Sequence, residues 1–172
     1  MERPSRVTGT SSRPRGPGRR ARIVVGLDES PAAHAALRWA VERGRSTGHD
    51  VAAVHVYETS AVPILRSHEQ RSVREGHARA RATEWILAAL GRDDLLHARL
   101  VVAEGSPVKV LVAASGNADL MVLGAPRPGR FRRVLTNRVA KRCSGRARCP
   151  VVLVPPKPDS ATSAPEQAGA GR

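Results

Sequence analysis

The sequence predicts a doubly wound α/β domain, a parallel sheet of five strands with helices on both faces. Three observations predict it. Short valine-rich runs alternate with amphipathic segments along the chain. Those runs are apolar throughout, as strands buried on both faces must be, where a half-exposed strand would alternate. Twice, a Ser-Pro pair follows the end of such a run, at Ser30-Pro31 and at Ser106-Pro107. Serine caps a helix, and proline at the first turn gives up an N–H that would lack a helical partner anyway.

Taken in order, "RIVVGL" (22–27) is the first strand. The helix after Ser30 places Ala33, Ala36, Leu37, Ala40 and Val41 on one face, at the 3.6-residue period. "VAAVHVY" (51–57) is the second strand, and a loop containing Pro63 leads to a helix from about 67 to 90. That helix repeats the pattern with Ala82, Trp85, Ile86, Ala89 and Leu90. "HARLVVAEG" (97–105) is the third strand, and a helix begins at Ser106-Pro107. "ADLMVLG" (118–124) is the fourth, a helix spans about 134–146, and "PVVLVP" (150–155) is the fifth. With aromatics at 2%, the core must be aliphatic.

Composition narrows the function classes. The chain has 172 residues, one domain's worth, and no run approaches the roughly 20 apolar residues of a membrane span. A cytoplasmic location is expected. Residues 1–21 and 157–172 are rich in Pro, Gly, Ser, Ala or Arg without periodicity and read as disordered tails around a domain at 22–156. The net charge of +14 is concentrated: residues 1–22 carry seven arginines against one glutamate, and residues 120–150 carry nine basic residues and no acid. Such patches admit weak, sequence-independent nucleic-acid binding, although Phe131 is the one aromatic near the second patch. Cys143 and Cys149 have neither the number nor the spacing of a disulfide framework or a zinc pair, and read as reduced helix and strand-edge cysteines. Histidines 34, 49, 55, 68, 77 and 97 form no metal-binding spacing, so no metal is expected; His55, within an apolar strand, reads as a structural histidine. No catalytic motif is present: there is no GxSxG, no GxxxxGK[ST] and no GxGxxG after the first strand.

In an open α/β sheet, ligands bind outside the carboxyl ends of strands where the strand order reverses. Asp28 and Gly124 end the first and fourth strands. With "RIVVGLDESPAAHAALRWAVE", "VHVYE", "EGSPVKVLVAASGNADLMVLGA" and "CPVVLVP" in that order, the chain resembles the universal stress protein (UspA-like) family over residues 21–155. The resemblance implies a sheet of order 3-2-1-4-5, an adenine nucleotide alpha-hydrolase-like fold. It also implies a homodimer formed through the last strand (Val151, Val152, Leu153, Val154) and, in a subset of members, ATP bound by a loop G-x2-G-x9-G-[S/T]. It places Asp28 beside an adenosine and Val56 against the adenine; Asp28 also suits a local turn before Ser30, and Val56 also suits the core.

Laid on this sequence, the loop motif keeps Gly124 but meets Arg127, Asn137 and Arg138 at its other positions. Gly129 is displaced by two, between Pro126 and Pro128. A left-handed arginine costs roughly 1–2 kcal/mol more than glycine, and a lost hydrogen bond to phosphate about 1.5–3 kcal/mol. Asn137 is the mildest change. The loop therefore reads as a degenerate cradle in a non-enzymatic binding and dimerisation protein of the stress response. The alternative is an adenine-nucleotide site in which Arg127, Arg138 and their neighbours replace backbone donors with guanidinium groups. Val139, beside Arg138, completes that candidate site.

Overall fold

The computed structural model describes residues 7–8, 21–58, 68–125 and 134–156. In chain order the elements are β1 (Val7–Thr8), β2 (Arg22–Leu27), α1 (Pro31–Thr47), β3 (Asp50–Tyr57), α2 (His68–Leu90), a 3₁₀ turn at Leu95–His97, β4 (Ala98–Glu104), α3 (Pro107–Ser115), β5 (Leu120–Gly124), α4 (Val134–Ser144) and β6 (Val151–Val154). The strands lie in the order β1-β6-β5-β2-β3-β4. The five longer ones are mutually parallel, so the expected 3-2-1-4-5 arrangement is present as β4-β3-β2-β5-β6. β1 adds a short antiparallel pairing on the outer side of β6, Val7 opposite Val152 and Thr8 opposite Val151. Apart from Val7, Thr8 and Ala21, the two expected tails lie outside the described residues.

Helices cover both faces because every strand is apolar on both. Ile23, Val25 and Leu27 of β2 point to the side where Leu37, Ala40 and Val41 of α1 meet Ala82, Ile86 and Ala89 of α2. Val24 of β2, Val54 of β3, and Met121 and Leu123 of β5 point to the other side, against Leu111 of α3 and Ala140 and Cys143 of α4. The α1 face read from the 3.6-residue period is entirely buried. Ser30 starts α1 as expected, its Oγ accepting the Ala33 N–H at 3.1 Å, and Gly48 ends it in the left-handed conformation at φ 69°.

Both cysteines are buried and unpaired, in the α3/α4 half of the core. Burial pushes each thiol from its ordinary 9.0 up to about 11, with Asp119 adding to the effect at Cys149. A raised folded-state value favours the neutral thiol in the fold. The stabilisation is therefore complete below about pH 9 and is lost as pH climbs through about 11. Urea titrations from pH 7 to pH 11 should show falling stability across that window. A thiol reagent at pH 8 should label neither residue in the native state and both after unfolding; rapid native labelling would contradict the burial.

Candidate functional site

β2 pairs with β3 on one side and β5 on the other, and the chain crosses to those neighbours over opposite faces. The strand order therefore reverses at β2, and a crevice opens at the carboxyl ends there. In this place lies a cleft of about 370 Å³, a size suited to a small-molecule ligand. Its lining comes from the ends of β2, β3 and β5, the first half of α3 and the second half of α4.

Five of the candidate residues from the sequence meet in this cleft: Asp28, Val56, Gly124, Arg138 and Val139. Asn137 stands within α4, so it needs no left-handed backbone and the strain considered for it does not arise. Arg127 and Gly129 lie outside the described residues. The exposed Asp28 uses Oδ1 to accept the Ser30 N–H at 2.9 Å, fixing the turn into α1, and it also lines the cleft.

Gly124 has a packing role that its place in a loop motif does not reveal. A Cβ built there would lie 2.5 Å from the carbonyl carbon of Ala32 and 2.7 Å from the nitrogen of Ala33. Those are backbone atoms of the first turn of α1, not of any ligand. A bare backbone at 124 is what allows α1 to close on the end of β5.

The cleft lining combines two kinds of chemistry. Val54 and Val56 of β3 and Val108 and Leu111 of α3 are apolar and share one cluster. Arg138 and Arg142 of α4 line the same cleft and are exposed. They are four residues apart on one helix face, and helical side chains lean toward the N-terminus, so the two guanidinium groups serve the same opening. Glu58, just past the end of β3, is the second carboxylate beside Asp28. Sequence reading missed Glu58, Ser106 and Arg142. The i,i+4 spacing of Arg142 from Arg138 and the strand-to-helix position of Ser106 were signals for two of them.

His55 is among the residues that line the cleft, and it ties β3 to β2 and α2. Its Nδ1 is 3.2 Å from the Leu27 carbonyl oxygen, and its ring meets Trp85 of α2 edge-on at 5.0 Å. Arg81 lies over Trp85 at 5.2 Å and pairs with Glu29 at 3.3 Å. Burial is the main cause lowering the pKa of His55 and His34, which favours the neutral imidazole in both. Among the described residues, no group of three or more His, Cys, Asp or Glu is placed to hold a metal ion. None of the described helices is long and apolar enough to cross a membrane.

Comparison with known proteins shows the family and the fold. The family model described as "Universal stress protein family" matches residues 20–155. Universal stress protein Rv2623 of Mycobacterium tuberculosis is 30% identical over 155 residues, which cover 85% of this chain and 51% of that protein. The chain thus spans about half the length of the curated relatives it matches. Among solved structures, a universal stress protein from Archaeoglobus fulgidus in complex with dAMP has a TM-score of 0.51 at 18% identity, covering 79% of this chain and 98% of that one. A universal stress protein family protein from Arabidopsis thaliana with AMP bound has a TM-score of 0.52 at 21% identity, covering 85% and 98%. At these identities, the structural likeness speaks for the fold.

Proposed function

The chain belongs to the universal stress protein family, and from that premise we propose that its cleft binds an adenine nucleotide, the base against the apolar lining and the phosphates toward Arg138 and Arg142. One observation carries the reading: the apolar side chains of Val54, Val56, Val108 and Leu111 line a single cleft with Arg138 and Arg142. A purine gains from leaving water for apolar surroundings, and guanidinium forks match phosphate oxygens. Degeneracy of the glycine motif counts for less in such a site, because side chains provide the donors that backbone N–H groups give in the motif's own form. AMP and dAMP in the two similar structures support the same ligand class. The activity proposed is binding, in the service of a stress response.

Calorimetric titration of the full chain with ATP, AMP and adenosine tests the reading. One site per chain is expected, with affinity falling from ATP to AMP to adenosine as anionic groups are removed. No heat with any of the three at millimolar concentration would sink it and restore the empty-cradle reading. Dimerisation through β6 is part of the same proposal and carries a condition: a second copy must displace β1 from Val151 and Val152. Light scattering at micromolar concentration reads the outcome directly.

A further inference from the structure

Two Ser-Pro pairs start helices in this chain, and their serines behave differently. Ser30 puts its hydroxyl into the helix, accepting the Ala33 N–H at 3.1 Å. Ser106 occupies the equivalent N-cap position of α3, with extended backbone at φ −81° and ψ 123°, yet its side chain makes no cap hydrogen bond. Its carbonyl does accept the Val110 N–H at 3.0 Å, so the helix begins in register without the hydroxyl. Local sequence does not account for the difference, since serine followed by proline favours the capped form at both places.

Position separates them. Ser106 lines the cleft, and Ser30 does not. Ser106 precedes Val108 and Leu111, which share one apolar cluster with Val54 and Val56. Ser106 is exposed at the cleft, and its hydroxyl is able both to donate and to accept beside those apolar side chains. Small-molecule sites characteristically combine an apolar lining with a few polar groups that fix ligand orientation.

We propose that the Ser106 hydroxyl is a ligand-binding group that hydrogen-bonds the nucleoside half of the molecule held in the cleft. The inference rests on the adenine-nucleotide reading and deepens it, because it assigns a contact for the uncharged half where the arginines serve the phosphates. The hydroxyl is kept out of the cap and left for the ligand.

The test pairs Ser106→Ala with Ser30→Ala, measuring adenosine and ATP affinity by calorimetry and the melting temperature of each unliganded protein. Ser106→Ala should weaken adenosine and ATP by the same factor, about five- to tenfold, with the melting temperature unchanged. Ser30→Ala should do the reverse, lowering the melting temperature by about 2–4 °C and leaving both affinities alone. If Ser106→Ala weakens ATP but not adenosine, the hydroxyl serves the phosphates and the proposal is wrong. If both affinities stay at wild-type values, it is equally wrong, while the nucleotide reading stands. If wild-type protein binds neither compound, that reading fails and this inference falls with it.

Discussion

Gly124→Ala should lower the melting temperature by about 6–12 °C, although it adds a single methyl group. The added carbon would sit 2.5 Å from the Ala32 carbonyl carbon and 2.8 Å from its oxygen. These atoms belong to helix backbone at the start of α1 and cannot turn aside as a side chain does. Either α1 moves off β5 or the end of β5 is displaced. Overpacking of this kind costs about 3 kcal/mol at the upper end of its usual range, and a domain of this size loses about 2–4 °C per kcal/mol. Gly76→Ala is the control. Gly76 lies inside α2 with nothing within 4 Å of the added carbon, so alanine there should stabilise by about 0.5–1 kcal/mol. Should Gly124→Ala melt like wild type and lose only nucleotide affinity, the glycine would be serving a ligand and the packing account would be wrong.

The largest effect on binding is expected from replacing both cleft arginines, Arg138→Gln with Arg142→Gln. A hydrogen bond between charged partners contributes about 1.5–3 kcal/mol. Both guanidinium groups are exposed, so the lower end applies, about tenfold each and about a hundredfold together. Adenosine affinity should not change, since it has no phosphate to lose. ATP affinity of the wild type should also fall with added salt, and the double variant should show a flatter salt dependence. A double variant that binds ATP as well as wild type would remove both arginines from the site and leave the phosphate to other residues of the chain. Adenosine weakened in parallel with ATP would point instead to a general distortion of α4.

Much of the fold was legible because each strand and helix advertises itself locally. Short valine-rich runs without alternation suit strands covered on both sides, and the α1 face from Ala33 to Val41 reads directly as the side that packs. The site was less legible. Asp28 and Gly124 were reached from their places at strand ends, Val56, Arg138 and Val139 through the family resemblance, and all five line the cleft. Glu58 and Arg142 were not reached, because a charged residue on an exposed helix or just past a strand looks the same in sequence whether it faces a cleft or open water.

The sequence by itself determined the class of the fold, the order of its elements and the aliphatic character of its core, since these depend on short-range period and composition. Only the tertiary structure decided what two particular residues are for. Gly124 reads as a ligand-loop glycine, and the approach of α1, far earlier in the chain, gives it a packing role. Ser106 reads as a twin of Ser30, and the walls contributed by β3 and α3 make it part of a cleft. Each depends on which distant backbone or side chain arrives within a few ångströms, and no local pattern along the chain encodes that meeting.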